Sequence, residues 1–193
     1  MCLCVFLFQG EDGIRDLVRS RGVGDVYKRQ DLHEQLGDEY QLVISGNFGS
    51  TIEAVQQEAK FVGARDFDQV IFNIGTNDVI ENLDVDTSVA ALREEIGYYD
   101  SARCVFLVNI NEHMINRRTG EVTTDAAVRF NAAFDQLTDE NPRISVIDWR
   151  DATSSTLNND DPPVSRLTQD SVHPTTEGNR KLNDLYAAAL EGC

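Results

Sequence analysis

QVIFNIGTND, Gln69 to Asp78, sets a nearly continuous apolar run directly against a Gly-Thr-Asn-Asp cluster. An apolar run of this length without polar alternation suits a strand covered on both faces, as in a parallel sheet. Polar residues just past such a strand fall on the carboxyl rim, where open α/β sheets carry their sites. Three further stretches repeat the pattern: Gln41 to Ser45 (QLVIS), Cys104 to Asn109 (CVFLVN) and Ile144 to Asp148 (ISVID).

Helical periodicity fills the gaps between them. Ile52 to Phe61 follows a Ser50/Glu53 pair spaced as a capping box, and Val89, Leu92 and Ile96 mark a second helix after Thr87. Phe130, Ala133, Phe134 and Leu137 form one face of a third. Leu182, Leu185, Tyr186, Ala189 and Leu190 make a stripe that should dock the last helix on the sheet. Strict alternation of strand and helix implies right-handed β-α-β units and an open, doubly wound parallel sheet.

Composition narrows the function. The 193 residues are 41% hydrophobic and 26% charged, which fits a globular chain and neither a disordered nor a fibrous one. Seventeen Lys and Arg against 33 Asp and Glu give a formal charge of −16, a field that repels nucleic-acid backbones and anionic lipid surfaces. No apolar run approaches the ~20 residues that span a bilayer. Cys2 and Cys4 lack a second ligand pair at zinc-finger distance, and His33 and His113 have no ligand partner at useful spacing, so no metal is expected. Gly46-Asn47-Phe48-Gly49 lacks the third glycine of a dinucleotide fingerprint, and no cofactor is expected either. Cys104 reads as a buried strand thiol, Cys193 as a free terminal one, and Trp149 as packing at a strand end.

Residues 1–30 differ from the rest: they carry five basic and four acidic residues, against twelve and twenty-nine in residues 31–193. Gln9 to Gln30, QGEDGIRDLVRSRGVGDVYKRQ, closely resembles the translation of a short-read sequencing adapter, and residues 1–30 are expected to be a non-native scar. Met1 to Phe8 is apolar and strand-like, without the basic start or small-residue cleavage site of a secretory signal.

Three polar clusters fall on the expected rim: Gly46 to Thr51, Gly75 to Asp78, and Asp170-Ser171-Val172-His173-Pro174 ahead of the last helix. Asp170 and His173 are three apart in a loop closed by proline, so a carboxylate could hold the imidazole in one tautomer while its other nitrogen acts as a base. Gly49 offers an unobstructed N–H at a helix start, and the Asn77 amide a second donor, the parts of an oxyanion hole. By spacing alone Asp170 reads equally as a turn cap, and Gly49 and Asn77 as turn residues.

In order as well as composition, G-x-S-T after one strand, I-G-T-N-D after the next and D-S-V-H-P-T-T-E-G before a final helix resemble the SGNH, or GDSL-type, hydrolase family. The resemblance spans roughly Leu32 to Leu190. It implies a three-layer α/β/α, flavodoxin-like fold, with His173 and Asp170 as catalytic residues and Gly49 and Asn77 as the oxyanion hole. The implied substrate is a small-molecule or carbohydrate ester, cleaved by a Ser nucleophile in an N-terminal Gly-Asp-Ser block. No Gly-Asp-Ser occurs in this chain. Gly10-Glu11-Asp12-Gly13 follows an apolar run at about the right place but offers no hydroxyl, and nothing recommends Ser20. The first strand is therefore expected to be lost or replaced, residues 31–193 to be a hydrolase-like domain without its nucleophile block, and the chain to be inactive. Two alternatives stand beside the hydrolase: a non-catalytic carbohydrate- or acyl-binding module, and an O-acetyl transferase acting on cell-wall sugars, to which Val108 to Trp149 is similar.

Overall fold

The computed structural model describes residues 2–7, 32, 34, 36, 40–45, 49–116 and 118–193, the first stretch by its backbone. Strands β1 (Cys2–Leu7), β2 (Gln41–Ser45), β3 (Gln69–Asn73), β4 (Cys104–Val108) and β5 (Ile144–Ile147) form one parallel sheet in the order β2-β1-β3-β4-β5. The order reverses between β1 and β3, which makes the rim there the switch point of a flavodoxin-like sheet. The place of the first strand is filled by Cys2–Leu7, in register with Cys4 opposite Val43 on one side and Val70 on the other. Of the remaining N-terminal residues, Gly10 to Gly13, Ser20 and His33 lie outside the described ones, as do Gly46 to Phe48.

The described helices are α1 (Ile52–Gly63), α2 (Thr76–Ile80), α3 (Val85–Gly97), α4 (Thr124–Glu140), α5 (Trp149–Ser154) and α6 (Thr176–Glu191). They divide between the two faces as the strand period of two requires. Val70, Phe72, Val105 and Leu107 point into one core with α1, α3 and α4. Their neighbours Ile71, Phe106 and Val108 point into the other with α5, α6, Leu32 and Leu36. Every residue of β3 is buried, the physical reason its sequence shows no alternation. Trp149 is 2% exposed and packs in the second core, as its place at a strand end suggested.

Two sequence expectations are corrected. The Ser50/Glu53 capping box does not form: α1 is capped at Thr51 without a side-chain bond, and a carboxylate from another helix takes over that work. Cys104 and Cys193 are not free thiols but a disulfide between the start of β4 and the residue beyond the C-cap of α6. α6 begins at the carboxyl rim and runs back antiparallel to the strands, so its far end meets the opening of β4. Two cysteines 89 positions apart give no sign of this until the helix is docked.

Candidate active site

β3 ends at Asn73, and two residues later Gly75 turns the chain into α2 with φ +101°, in the left-handed region that glycine tolerates. A Cβ at Gly75 would also lie 3.1 Å from the Ile110 side chain. The tight turn puts Asn77 and Asp78 on the first turn of α2, facing the start of α1. Asn77 Nδ2 donates to the Ser50 carbonyl at 2.9 Å, which draws the carboxamide against the Gly49–Ser50 turn, where Gly49 has φ +62°. A carboxamide has two N–H donors, so this bond leaves one to offer.

Asp78 is 1% exposed and accepts from the Ile52 N–H at 3.1 Å and from Ser88 Oγ at 2.8 Å. It thus supplies the missing cap of α1 from α2, and fixes the Gly49 turn relative to Asn77. Burial raises the Asp78 carboxyl, and the bonds from Ser88 and Ile52 offset that only in part. Beyond it Glu95 of α3 is fully buried, with neither carboxyl oxygen hydrogen-bonded among the described residues. Burial first, then the Asp78 and Glu94 charges, push the Glu95 carboxyl up to about 8, so it is neutral at pH 7.

The other half of the site is the loop before α6. A bridge between Thr168 and Pro174 and the Gln169 N–H on the His173 carbonyl close its base. Within it Asp170 Oδ1 accepts the Val172 and His173 N–H groups at 3.0 and 2.6 Å, and Oδ2 lies 2.5 Å from His173 Nδ1. A carboxylate can only accept, so in the neutral imidazole Nδ1 carries the proton and Nε2 holds the lone pair. Nε2 is buried and has no partner among the described residues. Burial raises the Asp170 carboxyl, but the bonds from His173 and Val172 outweigh it and hold it below the ordinary carboxylate range. Downstream, Thr175 caps α6 by accepting the Gly178 N–H, and Gly178 is obligatory because a Cβ there would fall 2.0 Å from the Leu167 carbonyl oxygen.

Of the four residues singled out in the sequence, Asp170 and His173 are in direct contact, and Asn77 bonds the Ser50 carbonyl next to Gly49. The segment after β4 lies between these two groups: Asn111 Nδ2 and the Ile115 N–H bond Ser171, and Asn116 Nδ2 bonds the Ile80 carbonyl at the end of α2. Beside α2 a cavity of about 230 Å³ is lined by Val79, Ile80, Asn116, Val122, Ala126 and Arg129 among others. His113 sits half-buried on the same segment, and no group of three or more metal-ligating side chains exists among the described residues. No helix among them is long and apolar enough to cross a membrane. Asp78, Glu95, Asn111 and Ser171 were not assigned roles from the sequence. The adjacency of Asp78 to Asn77 and of Ser171 to Asp170 was the available signal.

The parallel sheet in the order β2-β1-β3-β4-β5, with helices on both faces, is a three-layer α/β/α fold of flavodoxin-like type. The sequence matches the GDSL-like Lipase/Acylhydrolase family over residues 17–181, and the chain belongs to that family. Among solved structures it is similar to a GDSL-like lipase from Bacteroides thetaiotaomicron, with TM-score 0.74 and 20% identity over 98% of this chain and 88% of that one. It is also similar to the acetyl xylan esterase AlAXEase, with TM-score 0.68 and 20% identity over 97% and 98% of the two chains. A third likeness is to the psychrotrophic esterase EstA from Pseudoalteromonas, with TM-score 0.58 and 15% identity over 98% and 97%. No curated protein matches the sequence significantly.

Proposed function

We propose that this chain is the body of a serine ester hydrolase whose nucleophile block has been replaced, and that as written it does not turn over esters. The observation that carries the reading is the His173 imidazole: Nδ1 is fixed by Asp170 and Nε2 is buried with no partner among the described residues, on the rim that also holds Gly49 and Asn77. A base held in one tautomer with its lone pair unspent is what acyl transfer needs to take a hydroxyl proton. A serine hydroxyl would attack the acyl carbonyl as its proton passes to Nε2. The Gly49 N–H and the free N–H of Asn77 would receive the charge that develops on the carbonyl oxygen, each worth about 3 kcal/mol in the transition state. The proton then returns from Nε2 to the departing alcohol, and water repeats the sequence to release the acid.

Residues 1–30 are read as the foreign segment and residues 31–193 as the hydrolase domain. The absence of Gly-Asp-Ser from the sequence supports inactivity, since the base and donors have no nucleophile to serve. The name of the acetyl xylan esterase makes acetylated carbohydrate a reasonable first substrate class.

Two experiments test the reading. Purified chain should hydrolyse p-nitrophenyl acetate no faster than its His173→Ala variant, and turnover abolished by that substitution would show that a nucleophile is present after all. The 5′ end of the gene, read from source DNA without short-read adapters, should show a strand followed by Gly-Asp-Ser in place of residues 1–30. The same thirty codons would overturn the replacement and favour a nucleophile-free binding module.

A further inference from the structure

Ser171 stands between the two residues of the Asp/His pair in a conformation that a serine rarely adopts. Its φ is +70°, in the left-handed region, and its side chain is 1% exposed. A non-glycine residue there is strained, and such strain persists only where surrounding contacts over-determine it. Those contacts are present. Ser171 Oγ accepts the Ile115 N–H at 2.8 Å, and the Ser171 carbonyl accepts from Asn111 Nδ2 at 2.8 Å. Asn111 is itself 3% exposed and fixed by the His113 N–H on its Oδ1 at 3.0 Å.

The loop is closed at its base by the Thr168–Pro174 bridge, so Ser171 is its tip, and both bonds pin that tip to the segment after β4. The same segment reaches α2 through Asn116 Nδ2 on the Ile80 carbonyl at 2.8 Å, and a turn closed by the Gly120 N–H on the Asn116 carbonyl stiffens it there. A continuous brace thus runs from the loop of Asp170 and His173 to the helix that carries Asn77. Glycine at position 171 would relieve the backbone strain but forfeit the hydroxyl bond, and alanine would forfeit the bond and keep the strain.

We propose that Ser171 is a positioning residue: its hydroxyl and carbonyl lock the loop tip so that His173 Nε2 is held at a fixed place relative to the Asn77 donor on α2. The proposal rests on the reading of Asp170 and His173 as an acid–base pair and adds the device that aims it. It concerns imidazole orientation, so it is testable whether or not the chain turns over substrate.

The test is proton and nitrogen NMR of the histidine rings, comparing the unaltered chain with Ser171→Ala, Ser171→Gly and, as a stability control remote from the site, Cys193→Ser. The unaltered chain should show a downfield, solvent-protected His173 Nδ1–H. Both Ser171 variants should exchange that proton about tenfold faster, the equivalent of one net hydrogen bond, and shift the titration of the ring. Cys193→Ser should leave the ring signals unmoved although it loses stability. Ser171 variants with unaltered exchange and titration overturn the positioning role. Absence of the protected proton in the unaltered chain overturns the Asp170–His173 pair itself, a different result. If the Ser171 variants do not fold, Asn111→Ser removes the bond to the Ser171 carbonyl, together with the acceptor of the His113 N–H, leaves the Ser171 hydroxyl bond in place and is read by the same two criteria.

Discussion

Replacing Glu95 with glutamine should flatten the pH dependence of stability that its buried carboxyl imposes. Glu95 is fully buried, neither oxygen is hydrogen-bonded among the described residues, and burial followed by the Asp78 and Glu94 charges lifts its carboxyl from 4.5 to about 8. The folded state thus holds a proton that the unfolded state releases. Below pH 4.5 both states are protonated and the group contributes no penalty. Above it stability falls by about 1.4 kcal/mol per pH unit until the folded pKa is passed. The loss is about 3 kcal/mol at pH 7 and about 5 kcal/mol beyond pH 8. Glutamine keeps the shape and carries no charge. Urea denaturation followed by the emission of Trp149 should therefore find the two chains within about 1 kcal/mol near pH 5 and Glu95→Gln ahead by about 3 kcal/mol at pH 7. Asp78 titrates in both chains and largely cancels. A constant gap between the two stability curves across this range refutes the reasoning.

Three other perturbations follow from single contacts. Asp78→Ala strips the cap from α1 and leaves the buried Ile52 N–H and Ser88 hydroxyl without their acceptor, a loss of about 2–4 kcal/mol in chemical denaturation. Gly178→Ala drives a Cβ into the Leu167 carbonyl and should cost about 3 kcal/mol, with a visible shift of the His173 ring signals because the displaced turn adjoins that loop. Cys193→Ser opens an 89-residue separation and should lower stability by up to about 4–5 kcal/mol by loop entropy, and a reductant should lower the melting temperature of the unaltered chain and not of the variant.

The strands β2, β3 and β4 were each expected within a residue or so of their observed limits, because each shows in the sequence as a short apolar run; β3 is buried throughout and β4 in all but its first residue. The helices α3, α4 and α6 were legible from their stripes. What stayed hidden depends on contacts distant in sequence. α2 and α5 are too short, at five and six residues, to show a helical period, and both begin among polar rim residues that read as turn. The cap of α1 comes from 26 positions downstream, so a local Ser50/Glu53 pair offered a false substitute. A glutamate on an amphipathic helix normally faces water, and Glu95, three positions after Leu92 on the flank of the apolar stripe, reads from its residue type as solvated although it is buried. Asp170 and His173 were readable because their contact is local, three residues apart inside a proline-closed loop.

On the proposed reading, the rest of the catalytic apparatus can stand without its nucleophile because its parts are held by one another. Asn77 is placed by Ser50, the start of α1 by Asp78, His173 by Asp170, and the loop tip by Asn111 and Ile115. Each of these bonds lies between residues 50 and 173, and none needs a group from the first thirty residues. A base and an oxyanion hole that depended on the nucleophile's own hydrogen bonds would relax when it was removed, but a site assembled from independent pairs keeps its geometry and loses only the reaction. On the proposed reading, a strand ending in Gly-Asp-Ser, joined ahead of the hydrolase domain in the register now taken by Cys2–Leu7, meets a site already built. Activity should return without any compensating change after residue 31.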